Sequence, residues 1–169
     1  QTLPNPVRMI WRDRTFGLAS DIVRLNAHFI FFIAHDLYIS TLKNNPTSVN
    51  LEAARQAWRE TRLPWEQSEA FLFGPVEQQG IDPSIDSWPV NVTDLQNVLS
   101  GSSSLTKSYI DGLDGTLKGF HTIEFLLWGT NSNKQIGDFT VREFEYLTGC
   151  SESLQGATLQ LYNAWQSNG

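Results

Sequence analysis

The sequence has 169 residues, enough for one domain with a substantial core, and 40% of them are hydrophobic against 18% charged. A net charge of −6 with no basic cluster excludes nucleic acid and anionic membrane as partners, because both select Lys/Arg patches. The lone Cys150 excludes an intrachain disulfide and any cysteine-based metal site, while six Trp and ten Phe make the apolar content strongly aromatic.

The first predicted helix runs roughly from residue 14 to 43 and ends at Asn44-Asn45-Pro46, with Ile22, Leu25, Phe29, Ile33 and Leu37 at helical spacing. Its longest apolar stretch, Phe29 to Ala34, is bordered by His28, His35 and Asp36 and is too short to span a bilayer. His28 and His35 fall away from the apolar stripe and read as edge or surface histidines. Gln1 shows no signal-peptide pattern and reads as a mature N-terminus.

A second helix is expected from about Leu51 to Phe73, capped by Ser48 or Asn50 and kinked or split at Leu63 by Pro64. Ala54, Trp58, Arg62, Trp65, Glu69, Leu72 and Phe73 then share a face, on which Arg62 and Glu69 interrupt an aromatic stripe. Glu66 projects off that stripe and reads as solvated. Residues 74 to 92, with Pro75, Pro83, Pro89 and Trp88, read as a long ordered loop, and Trp88 reads as a plug over a bundle end. A short helix near Thr93 to Leu99 follows, then the glycine-punctuated run Asp111 to Gly115. The last helix spans about Asp138 or Thr140 to Trp165, with soft spots at Gly149 and Gly156. No strand alternation and no internal repeat are present. The fold class is therefore all-α, an up-down, four-helix-like bundle with one elaborate Pro/Trp-containing connection.

The run Gly119-Phe120-His121-Thr122-Ile123-Glu124-Phe125-Leu126-Leu127-Trp128-Gly129 carries the chemistry. Leu117, His121, Glu124 and Trp128 fall on one stripe of a helix, flanked by Phe120, Ile123, Leu127 and Phe125. His121 and Glu124 are thus expected in the middle of the buried face, where an uncompensated charge costs several kcal/mol. Either a structural hydrogen-bond network or a metal could satisfy them. Imidazole with carboxylate suits iron, zinc or manganese. Glu69 is the candidate third ligand, and Arg62 a supporting group that can neutralise a carboxylate. HExxH is absent, as are a phosphate-binding glycine loop and a recognisable Ser or Cys nucleophile motif.

Several motifs in order resemble the imelysin-like family. They are Ala53 to Trp58, Arg62-Leu63-Pro64-Trp65 with Ser68-Glu69-Ala70-Phe71, Phe73-Gly74, Ile81-Asp82, Ser87-Trp88-Pro89, the GxHxxE run, and Phe139 to Leu147. The resemblance covers about Leu51 to Trp165. The family is named after a proposed insulin-cleaving peptidase and includes the helical domain of bacterial iron-uptake lipoproteins.

The resemblance implies an all-α fold of two bundle-like halves, exported to the periplasm or outer cell surface and serving iron or haem uptake. It implies a metal site, iron or zinc, in a cleft between halves. Gly119, His121 and Glu124 carry over from GxHxxE, and Arg62 and Glu69 from the Arg-x-Pro-aromatic-x-x-Ser-Glu stretch; Trp88 is a further supporting residue. Family domains are about twice this length, so residues 1–169 are expected to form the N-terminal half of a longer domain, whose C-terminal half is a partner, with iron or haem uptake components beyond it. The leading expectation is a non-catalytic metal-binding protein; the alternatives are a metallopeptidase and a metal-free structural or partner-binding bundle.

Overall fold

The computed structural model describes residues 38–166. The readings placed on His28, His35 and the Phe29–Ala34 stretch lie outside the described residues. Within them the chain forms α1 (Ile39–Asn44), α2 (Ser48–Ser68), α3 (Pro75–Gln79), α4 (Asp82–Asp86), α5 (Val92–Ser100), α6 (Lys107–Asp111), α7 (Gly119–Trp128) and α8 (Val141–Gln166), with 3₁₀ turns at Glu69–Phe71, Gly115–Leu117 and Ile136–Asp138. No strand occurs among the described residues. The expected all-α helical bundle is what forms, and no helix among the described residues is long and apolar enough to cross a membrane.

The 26-residue α8 is the axis of the bundle, packing against α1, α3, α4, α5, α6 and α7. Its buried stripe of Tyr146, Leu147, Cys150, Leu154, Leu161 and Trp165 recurs at helical spacing. Each fully buried Leu or Ile in such a stripe stabilises the fold by about 1.5–3 kcal/mol before entropy is counted. The expected soft spot at Gly149 is a close contact instead: a Cβ there would collide with the Leu105 carbonyl, so glycine lets the segment before α6 lie against α8.

Thr47 caps α2, its hydroxyl accepting from the Asn50 N–H at 3.2 Å. The helix runs on through the buried Pro64 and turns 3₁₀ at Glu69, so the predicted break at Leu63 is absent. Pro64 and Trp65 sit in the core, and that burial keeps the helix continuous where the proline removes one backbone hydrogen bond.

The stretch expected to be a long loop is also partly helical. Pro75 and Pro83 start α3 and α4 at positions where a missing N–H costs nothing, and Gly80 ends α3 in the left-handed conformation. Ile81 and Ile85 are buried and fix this pair of short helices on the bundle.

Candidate functional site

The site forms where α2, α4 and α7 meet, and Gly119 is what allows them to meet. Its φ of 77° lies in the left-handed region, and a Cβ on it would collide with the carbonyl oxygen of Ile85. Glycine therefore lets the start of α7 touch the end of α4. That contact brings Asp86, the last residue of α4, beside His121.

Asp86 is the centre of the polar cluster, and its side chain is only 7% exposed. One carboxylate oxygen accepts from Arg62 Nη1 and from His121 Nε2, the latter at 3.0 Å; the other accepts from the indole N–H of Trp65 at 2.6 Å. Burial pushes this carboxyl up, but the hydrogen bonds from His121, Arg62 and Trp65 outweigh it and hold the group far below the ordinary carboxylate range. His121 completes the chain through Nδ1, 3.2 Å from Oε2 of Glu124. Its contacts with Asp86 and then Glu124 raise the imidazole to about 9, so in the metal-free protein both ring nitrogens carry protons near neutral pH.

His121 and Glu124 do not occupy the middle of the buried face. Because α7 packs against both α8 and α2, its buried centre is Phe120, Ile123, Leu126 and Leu127, and the His121 and Glu124 side chains lie on the rim, 18% and 42% exposed. Arg62 does neutralise a carboxylate, but the partners are Asp86 and, at 2.5 Å through Nε, Glu66, the residue expected to be solvated. Its guanidinium also lies 5.2 Å from the Phe120 ring centroid.

Glu69 is exposed and sits with the carboxylates of Glu66 and Asp86; loss of solvation, then repulsion from Glu66 and its contact with Asp86, raise its carboxyl. Among the described residues, no three His, Cys, Asp or Glu side chains are grouped so as to hold a metal ion, so Glu69 is not gathered with His121 and Glu124 into a three-ligand centre. Trp88 is not a plug. It is 71% exposed, and its ring stands 4.8 Å from the His121 ring, walling one side of an open cavity of about 250 Å³ beside His121 and Glu124.

Asp86 is the residue of the cluster that the sequence reading missed. The one available signal was an acidic residue directly before Ser87-Trp88-Pro89, within a stretch expected to pack on the bundle. Cys150, behind Gly119, is fully buried, and burial pushes its thiol up to about 12, which removes it as a nucleophile.

The donor set bears on metal chemistry directly. Nδ1 of His121 and Oε2 of Glu124 stand 3.2 Å apart, within the about 3.0–3.4 Å expected between two donors bound to one ion at about 2.1 Å. Nε2, held on a buried carboxylate, matches the pattern in which a ligating histidine gives its other N–H to a carboxylate that orients it. His121 and Glu124 thus present two potential donors, with Asp86 orienting the imidazole, and no third is grouped with them among the described residues.

The imelysin family model matches residues 36–169. The chain belongs to the imelysin family. An iron-regulated protein A of Synechococcus elongatus is 33% identical over 128 residues, covering 76% of this chain and 32% of that protein. A solved structure from Parabacteroides distasonis, assigned to the iron-regulated protein A precursors, superimposes with a TM-score of 0.76 at 29% identity, over 89% of this chain and 45% of that one. An imelysin-like protein of Psychrobacter arcticus has the same fold at 17% identity, with a TM-score of 0.66 and coverage of 89% and 46%. The chain therefore spans about a third of the curated relative and under half of each solved structure.

Proposed function

We propose that this imelysin chain is the N-terminal half of an exported protein that binds iron or a similar metal ion as cargo, at a site founded on His121 and Glu124. The observation that carries the reading is the 3.2 Å separation of Nδ1 and Oε2 on an exposed rim, with Nε2 anchored to Asp86. The names of the relatives, iron-regulated protein A and its precursor, support an iron-related and exported role. The chain's span of under half of the solved structures supports a second half as the source of further donors. The roles divide as follows: His121 and Glu124 offer donors, Asp86 fixes the imidazole, and Arg62 keeps Asp86 ionised. Gly119 permits the approach, and Glu69 adds negative charge behind the cluster.

Freeing Nδ1 of its proton costs about 2–3 kcal/mol near pH 7, given titration at about 9. That is small beside the roughly 10–16 kcal/mol available from a full structural zinc site. A second reading is favoured by one observation: Arg62 and His121 already satisfy Asp86 without a metal, so the cluster could serve only to lock α2, α4 and α7 together.

Elemental analysis of the full-length protein and of its His121→Ala variant separates the two readings. Stoichiometric iron or zinc in the wild type, lost in the variant, is the expected result. Equal and negligible metal in both, with lower stability in the variant, leaves the structural lock. Peptide cleavage that disappears with a chelator would instead establish the metallopeptidase.

A further inference from the structure

The polar cluster at Asp86 is flanked by apolar side chains that the described fold leaves exposed. On one flank Trp88 is 71% exposed with its ring 4.8 Å from the His121 ring, and Val92, 40% exposed, lines the same cavity. On the other flank Arg62 reaches Glu66 at 2.5 Å, and Leu63, one turn before Glu66 on the surface of α2, is 59% exposed. Contacts run without a break from Trp88 through His121 and Asp86 to Arg62, the neighbour of Leu63, so the two flanks belong to one face.

The charge on that face is unbalanced. Glu66, Glu69, Asp82, Asp86 and Glu124 gather around two cations, Arg62 and the protonated His121. Arg59, one turn before Leu63, is taken by Glu52 at 2.9 Å. Loss of solvation and then a neighbouring carboxylate, Glu66 for Glu69 and Asp86 for Asp82, raise both carboxyls, as negative charge in excess requires. Such a face repels nucleic acid and anionic lipid, and it complements a protein surface that joins apolar side chains to Lys or Arg.

The solved relatives show how much polypeptide is available to cover it. This chain accounts for 45% of the Parabacteroides distasonis structure, so more than half of that folded chain is further polypeptide. Interfaces between units of one chain are more polar than obligate subunit contacts, and the tether lets a modest area hold them together. A large exposed Trp, smaller apolar neighbours and surplus carboxylates have that mixed character, and Trp is among the side chains enriched at interfaces.

We infer that the remaining half of the polypeptide docks on this face, with Trp88 and Leu63 as apolar anchors and its own Lys or Arg side chains opposite Glu66, Glu69 and Glu124. This rests on the reading of the chain as one half of a longer protein and is independent of metal binding.

Hydroxyl-radical footprinting of the full-length protein tests it, each residue's rate being referred to its rate in urea. Val49 and Val141, both 75% exposed at the starts of α2 and α8, lie outside the chain of contacts above and serve as controls. Labelling follows exposure, so burial of Trp88 from 71% to below about 10% should slow it at least about 5-fold, with Leu63 slowed alongside and the two valines unchanged. Open labelling of Trp88 and Leu63, or equal protection of all four residues, would overturn the inference. Protection that fades on dilution, as light scattering shows a dimer dissociating, would overturn it in favour of a second copy. The intact mass of the protein from its source separates the underlying reading: a polypeptide no longer than 169 residues would sink the half-domain reading and the inference with it. A longer polypeptide with an open Trp88 would overturn the docking face alone.

Discussion

The two ends of α7 solve the same problem in different ways. At its C-terminal end the chain supplies every partner itself. Arg55 donates to the Leu127 carbonyl at 3.3 and 3.0 Å and to the Lys134 carbonyl at 2.6 Å, while Lys134 pairs with Glu143 at 2.6 Å. Cations at a helix C-terminus are what the helix dipole favours, and Arg55 reaches solvent only on the side where it pairs with the exposed Glu52 at 3.7 Å. Near the N-terminal end Asp86 draws in Arg62, Trp65 and His121, but the chain of contacts does not close. It runs out through His121 to Glu124, 42% exposed, beside a cavity that extends along α7 to Trp128 and the turn after it. The first network ends mostly on backbone carbonyls, whereas the second ends on a carboxylate at the edge of a cavity.

Substitutions at each end sharpen that contrast. Asp86→Ala should have the largest effect, about 4 kcal/mol by urea denaturation, because it removes the buried partner that Arg62 and His121 share and leaves them only the solvent-screened Glu66 and Glu124. The His121 imidazole should fall from about 9 toward or below 6.5 in the same variant, read by NMR titration. Gly119→Ala should cost about 3 kcal/mol, from the left-handed backbone together with the clash on Ile85, and should weaken the Asp86–His121 contact as well. Arg55→Ala, at the C-terminal end, should cost about 2 kcal/mol through lost carbonyl bonds and the Trp128 contact, and leave the His121 titration unmoved. A His121 shift of similar size in Arg55→Ala would erase the distinction between the ends.

Acidity offers a subtler probe. The folded-state pKa of His121 is raised, so its contribution is fully present below about pH 6.5 and is lost as pH rises through about 9. Stability of the metal-free protein should therefore decline by about 3 kcal/mol across that window, and this part of the slope should vanish in His121→Gln. Asp86 has the opposite sign: its lowered pKa gives stability that is present above about pH 4 and lost on acidification. Glu66→Gln should be the mildest change, below about 0.5 kcal/mol, because Glu66 is 46% exposed and its pair with Arg62 is screened by solvent.

Much of this was readable from the residues. Helical spacing gave α2, α7 and α8, and the run of motifs gave the family that the model match bears out. The stretch from 74 to 92 was harder. Its prolines read as loop, yet Pro75 and Pro83 sit where a proline starts a helix, and the outcome depends on Ile81 and Ile85 finding the core. Asp86 was invisible for the same reason. Periodicity reports which residues share a face of one helix, but which carboxylate crosses from a neighbouring element to His121 depends on the clearance at Gly119. The depth of His121 was misjudged because Phe125 and Trp128 are apolar but only partly buried, so the cavity-facing side of α7 read as core.

Following the His121 ring nitrogens by ¹⁵N NMR, while zinc is titrated into the full-length protein, tests the central claim most directly. The account predicts that Nδ1 exchanges its proton for the metal and shifts accordingly, while Nε2 stays protonated on Asp86. Both nitrogens remaining protonated at saturating zinc would contradict it.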